Sequence, residues 1–163
     1  MYIPTEKLKT LASSFGVSLD ETALERFDAY AKLLCEWNEK IKLTAITDPQ
    51  GRAVKHFADS LSVFGFCDCP LGASVIDVGT GAGFPGLALL IARPDLKLTL
   101  LDSTKKKLTV LEDILEKLSL SAELLHSRAE EAGRNKTYRE SFDFATARAV
   151  ANLRELSEYC LPF

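Results

Sequence analysis

The sequence predicts an α/β protein in which a parallel sheet follows a region made only of helices. Residues 5 to 65 carry apolar positions at helical spacing and no strand-like run, whereas short β-branched runs begin at Ser74. The second observation is the stretch Val75-Ile76-Asp77-Val78-Gly79-Thr80-Gly81-Ala82-Gly83-Phe84-Pro85-Gly86. Its apolar start fits a strand covered on both faces, its glycines end that strand abruptly, and Pro85 suits the first turn of the helix that continues through Ala92. The boundaries read as a helical region over 1–70 and an α/β unit over 71–163.

Composition bounds the reading. At 163 residues and 47% hydrophobic content the chain has the size of one domain, or of one domain with a small appendage, and can fill a core. No apolar run approaches a membrane span, and Met1 to Lys7 lacks the layout of a signal peptide, so a cytoplasmic protein is expected. The four cysteines, at 35, 67, 69 and 160, show no paired C-x-x-C spacing and read as reduced structural thiols, with no metal site expected. A net charge of -3 argues against a protein that coats nucleic acid indiscriminately. Lys40, Lys42, Arg52, Lys55 and His56, and then Lys105 to Lys107, read as solvated surface that gains meaning only if it converges on a site mouth.

In chain order, Thr5 to Phe15 reads as a first helix closed by Gly16. Ser18-Leu-Asp-Glu21 reads as a capping box opening a second helix, with Leu24, Phe27, Leu34, Trp37 and Ile41 along its apolar face and the Asp48-Pro49 turn beyond its end. Arg52 to Phe64 is a third helix, with Val54, Phe57, Ala58, Leu61 and Phe64 inward. Strands follow at 74–78, 97–101, 122–126 and 142–146, and a last helix spans Ala149 to Leu161. Trp37 continues the apolar stripe and reads as core, with a base-stacking platform as the alternative. His56 and Asp59 share one helix face and can reach a common partner.

The chemistry lies in Asp77-x-Gly79-x-Gly81-x-Gly83. The glycines let the backbone pass close to a ligand, and free N–H groups at the new helix favour negative charge. Gly81 to Gly86 also fits G-x-G-x-x-G, which keeps a dinucleotide-dependent oxidoreductase open, but an acid in the strand's last turn is poorly placed beside a pyrophosphate. It suits a cationic amino-acid moiety. Asp102, about twenty residues further on, stands where an acid accepts bonds from ribose hydroxyls in either cofactor class. The stretch resembles an S-adenosylmethionine-dependent methyltransferase.

A narrower resemblance covers nearly all of the chain. Trp37-Asn38 with Leu43-Thr44, His56-Phe-Ala-Asp-Ser-Leu61, Asp77 to Gly86, Leu101-Asp-Ser103, Ser127-Arg-Ala-Glu130 and Ala147-Arg-Ala149 occur in this order in the RsmG (GidB) family of bacterial 16S ribosomal RNA guanine-N7 methyltransferases. The resemblance implies a class I, Rossmann-like methyltransferase sheet behind an N-terminal helical region, with strand order 3-2-1-4 and only four of seven strands present. It therefore reads the chain as part of a longer protein with little activity of its own, and strand four, paired on one side only, is expected either to self-associate or to leave the chain less stable than one extended by three strands. It implies S-adenosylmethionine as cofactor, contacted at Gly79, Phe84, Ala129, Glu130 and Arg148, to which the reading of the glycine turn and the second strand adds Asp77, Gly81, Gly83 and Asp102, and 16S ribosomal RNA or the small ribosomal subunit as partner. Asn38, Lys42, Thr44, His56, Asp59 and Ser60 become candidates for RNA contact, with Lys42 standing where the family usually has asparagine. Guanine N7 carries a lone pair and needs no general base, so Arg148 is the candidate for fixing the base through O6, with a salt bridge to Glu130 or to the cofactor carboxylate as the alternative. An unpaired or extruded guanine is the expected substrate. A non-catalytic RNA-binding or assembly role is the remaining alternative.

Overall fold

The structure, a computed structural model, describes residues 1–45 and 48–163. Helices α1 (Thr5–Ser14) and α2 (Glu21–Asn38) open the chain. Gly16, at φ +77°, supplies the left-handed turn that ends the first. The capping box expected at Ser18 and Glu21 is corrected: Asp20 is the N-cap, its carboxylate accepting from Ala23 N at 2.7 Å, because the helix starts at Glu21 and leaves Ser18 ahead of the cap position. The second helix ends at Asn38 and does not reach Ile41, because Asn38 Oδ1 accepts from Leu43 N and Thr44 N and turns the chain.

A continuous helical run follows as α3 (Pro49–Gly51), a π-helix (Arg52–Ala58), α4 (Asp59–Leu61) and a 3-10 turn (Ser62–Gly65). The wider π turn changes which residues face inward. Val54, expected inside, is 36% exposed, while His56 is buried.

Strands β1 (Ser74–Val78), β2 (Lys97–Asp102), β3 (Glu123–His126) and β4 (Phe144–Thr146) form one parallel sheet in the order β3-β2-β1-β4, as expected. The third and fourth strands start later than the sequence predicts. Phe142 N bonds Phe163 O instead of a sheet partner, so the ladder opens only after Asp143. Helix α5 (Gly86–Ala92) follows β1, and α6 (Lys105–Lys117) and the short α7 (Ala129–Ala132), both unassigned from the sequence, follow β2 and β3. Helix α8 (Leu153–Cys160) starts four residues after Ala149, whose φ of +54° excludes it from a helix; Asn152 caps the new start.

Alternate residues of β1 face two cores. Val75 joins Leu98, Leu100, α5, α6 and the N-terminal helices, whereas Ile76 and Val78 pack with Leu101, Ala132 and Phe163. Two polar ties cross the larger core boundary. Tyr30, fully buried on α2, donates to Ala82 O in the glycine turn, and Trp37 Nε1 donates to Asp113 Oδ2 on α6 at 2.7 Å. With Lys40 Nζ 4.8 Å above its ring, Trp37 works as a packed tie between helices.

Candidate functional site

The loops leaving the carboxyl ends of β1, β2 and β3 enclose a cleft of about 210 Å³. Its floor is apolar, from Val78 and Leu101. Its walls are Gly79, Asp102, Ser103, Ser127, Arg128, Ala129 and Glu130, with Val150 and Tyr159 reaching in from the last segment. In an open parallel sheet this end is where ligands bind, because strand ends and helix starts converge there.

Of the residues expected to hold a cofactor, Gly79, Asp102, Ala129 and Glu130 line this cleft. Asp102 is 5% exposed, with Oδ2 accepting from Gly81 N at 2.9 Å and Oδ1 from Thr104 N at 2.8 Å. Lys107 Nζ stands 3.9 Å from Oδ2. Each oxygen retains a further lone pair for a hydroxyl donor. Glu130 is exposed at the rim; its own backbone N–H first, and Arg128 next to it, hold its carboxyl below the usual range.

The other expected contacts lie beneath or beside the cleft. Asp77 is fully buried under the turn. Its Oδ2 accepts from Thr80 Oγ1 at 2.6 Å and from Gly86 N at 3.0 Å, and Oδ1 from Thr146 Oγ1 at 3.1 Å. Burial pushes its pKa up to about 6 against the pull of those bonds, so it is ionised at neutral pH. The direct contact with a cationic moiety therefore gives way to a bracing role: Asp77 ties the turn, the start of α5 and β4 together. The start of α5 is satisfied from within, by Asp77 on Gly86 N and by Gly83 O on Leu87 N, which closes it to an anion.

The glycines differ in purpose. A Cβ on Gly79 would stand 2.7 Å from Val150 Cγ2 at the cleft, whereas one on Gly83 would stand 2.5 Å from the Tyr30 hydroxyl, inside the protein. Gly81, at φ +59°, presents its N–H to Asp102. Phe84 is 4% exposed and packs between rings: His56 lies parallel to it at 4.5 Å and 9°, Tyr30 at 5.4 Å. It serves as a stacking platform in the core and does not wall the cleft.

Arg148 does not line the cleft and does not meet Glu130. Nη1 donates to Asp59 Oδ2 at 3.1 Å and to the carbonyls of Lys55 and His56, Nη2 to His56 Nδ1 at 3.0 Å, and its guanidinium carbon sits 4.8 Å above the Phe84 ring. Ala149, left-handed between them, sends Arg148 to one side and Val150 into the cleft. A second hollow of about 530 Å³ opens beside Arg148, bordered by Asp59, Pro85, Thr146 and Leu156.

The residues proposed for RNA contact divide likewise. Lys42 is exposed and free to meet a ligand, and Asp59 is exposed beside Arg148. Asn38 is spent on the 43–44 backbone, Ser60 is 3% exposed and donates to His56 O, and Thr44 Oγ1 sits 2.7 Å from His56 Nε2. His56 is held neutral, its pKa lowered to about 4 by burial first and then by Arg148 and Arg52. Ser127, Arg128 and Ser103 were not singled out as site residues from the sequence; their signal is that they directly follow strand ends. Val150 and Tyr159 carry no such signal.

Fold and cleft define an α/β protein with a candidate ligand site at the carboxyl end of its parallel sheet. Residues 23–163 match the family model GidB: rRNA small subunit methyltransferase G, and the chain belongs to that family. It is 47% identical over 157 residues to ribosomal RNA small subunit methyltransferase G of Clostridium perfringens, covering 96% of this chain and 66% of that protein. It is 48% identical to the protein of the same name from Caldanaerobacter subterraneus subsp. tengcongensis, covering 97% and 66%. The chain thus spans just under two thirds of the length of these relatives. Among solved structures, the YcgJ protein of Bacillus subtilis aligns at 24% identity over 55% of this chain and 37% of that one, with a TM-score of 0.46. No helix among the described residues is long and apolar enough to cross a membrane.

Proposed function

We propose that this chain carries the cofactor site of an enzyme that methylates N7 of a guanine in 16S ribosomal RNA of the small ribosomal subunit, in the cytoplasm, with S-adenosylmethionine as donor. The observation that carries the reading is the placing of the two acids. Asp102 stands in the cleft with unspent lone pairs, and Asp77 fills the helix start that a pyrophosphate would need. That arrangement favours a nucleoside with a vicinal diol over a dinucleotide. Family membership supports the substrate class.

The residues present fit the cofactor. Val78 and Leu101 would offer it an apolar surface, Asp102 would accept from its ribose, Ala129 and Glu130 would meet its adenine, and Gly79 leaves room that a Cβ would fill. When bound, the cofactor would supply a sulfonium methyl group that the N7 lone pair could take, the carbon–sulfur electron pair staying on sulfur. Guanine N7 holds no proton at neutral pH, so the protein's task is orientation, worth several kcal/mol in well-aligned reactants. With Nη1 held by the helix carbonyls and Asp59 and one Nη2 N–H by His56, the Arg148 Nε and the second Nη2 N–H have no partner among the described residues and are the donors on the Phe84 platform suited to guanine O6. Exposed Lys42 offers a phosphate contact.

The test is methyl transfer from labelled S-adenosylmethionine to small-subunit ribosomal RNA, with the product nucleoside identified by mass. N7-methylguanosine is the expected product. A methyl group on another atom, or binding of NAD in preference to S-adenosylhomocysteine, would overturn the proposal.

A further inference from the structure

We infer that His56 is a positioning residue that orients Arg148 from below, and that it makes no contact with RNA itself; the inference rests on the assignment of Arg148 to the substrate base. The geometry fixes the ring's protonation. A guanidinium only donates, so the 3.0 Å contact from Arg148 Nη2 requires a lone pair on His56 Nδ1. The proton of the neutral ring then sits on Nε2, where Thr44 Oγ1 accepts it at 2.7 Å. Thr44 is held in turn, because Asn38 Oδ1 accepts from its backbone N–H at 3.0 Å. With 7% of its surface exposed and Phe84 stacked on one face, the imidazole has no edge left for a nucleotide.

The charged groups around the ring agree with this assignment. Arg148 and Arg52 disfavour the imidazolium, and Asp59, the acid that favours it, is engaged with Arg148. Of the described groups that hold Arg148, the two carbonyls and Asp59 bind Nη1, and His56 alone among the described residues takes Nη2. The imidazole therefore decides how the guanidinium plane is turned, while the others decide where it stands. The π-helix is the backbone device behind this, since it carries both carbonyls and the imidazole on the side that meets the chain leaving β4. The chain Asn38, Thr44, His56, Arg148 links the loop bearing Lys42 to the residue assigned to the base.

The experiment uses the whole 163-residue chain, with His56→Asn, whose amide oxygen replaces the Nδ1 acceptor, and His56→Gln, which reaches only toward Thr44. Long-range proton–nitrogen spectra at neutral pH are expected to show an unprotonated Nδ1 and a protonated, slowly exchanging Nε2. The Arg148 guanidinium protons are expected to exchange slowly in the wild type and in His56→Asn, and fast in His56→Gln. A protonated Nδ1, or Arg148 exchange that neither substitution alters, would overturn the inference. In methyl transfer to small-subunit ribosomal RNA, loss of one charge-assisted bond predicts a kcat about tenfold lower in His56→Gln than in His56→Asn, at equal affinity for S-adenosylhomocysteine. Equal losses in both variants, confined to KM for RNA, would make His56 an RNA contact and reject the positioning role. Failure of the wild type to bind S-adenosylhomocysteine would count against the functional proposal alone, and the nitrogen spectra still decide the role of His56.

Discussion

Gly79 and Val150 meet at the cleft, and their contact makes both testable. Gly79 has φ +69°, and an added Cβ would lie 2.7 Å from Val150 Cγ2. Gly79→Ala is expected to cost about 1–2 kcal/mol of stability through the left-handed backbone and to lower affinity for S-adenosylhomocysteine. Val150→Ala clears the same space from a side chain that is 38% exposed, so stability should change by less than about 0.5 kcal/mol while affinity rises. The double variant should recover part of the affinity lost in Gly79→Ala; strictly additive effects would contradict the contact. Asp102→Ala is expected to weaken S-adenosylhomocysteine by about 1–3 kcal/mol, measured by calorimetry. Because Asp102 also accepts from Gly81 N and Thr104 N, Asp102→Asn is the cleaner probe of charge: it keeps an acceptor for an amide and loses the carboxylate.

At the level of elements, α2 clamps the glycine turn through Tyr30. Its hydroxyl donates to Ala82 O and would lie 2.5 Å from a Cβ on Gly83. Gly83→Ala should therefore destabilise by roughly 1–3 kcal/mol through overpacking, and Tyr30→Phe in the same chain should relieve the steric part, as read from denaturant midpoints. No relief would move the cost to the φ of +100° at Gly83 and to Leu111 and Leu87, which a Cβ would approach at 3.0 and 3.1 Å. The strand, turn and helix around Asp77 were legible because β-branched residues, glycines and Pro85 each dictate one local conformation, and Asp102 announced itself by standing at the next strand's end. The direction of the polar side chains was not legible. Asn38, Ser60 and His56 read as surface candidates in a polar, aromatic stretch, yet all three turn inward, because a π turn and a chain reversal decide which way they point. Helix starts moved for similar reasons: Asp20 and Asn152 each cap one, and local spacing alone did not separate them from neighbouring candidates.

Across the whole molecule, two buried groups set opposing pH dependences. His56 has its folded pKa lowered from 6.5 to about 4, so its contribution is complete above pH 6.5 and is lost as pH falls toward 4. Asp77 has its folded pKa raised from 3.8 to about 6, so its contribution is complete at low pH and is lost as pH rises from about 4 to about 6. Between pH 4 and 6 the unfolded chain carries the histidine proton and the folded chain the aspartate proton, and the two slopes cancel. His56→Asn removes one side of this balance. Relative to wild type, its stability should fall with rising pH in that window, by up to about 1.4 kcal/mol per pH unit, whereas parallel profiles would place the buried proton elsewhere. The same buried pair underlies the cleft, Asp77 bracing the glycine turn and His56 bracing Arg148 beside it. What that framework serves is decided most directly by calorimetric titration of the 163-residue chain with S-adenosylhomocysteine, with NAD titrated in parallel. Saturable one-to-one binding of S-adenosylhomocysteine that Asp102→Asn weakens, with no heat from NAD, is the predicted result; binding of NAD, or S-adenosylhomocysteine binding indifferent to Asp102, would contradict the account.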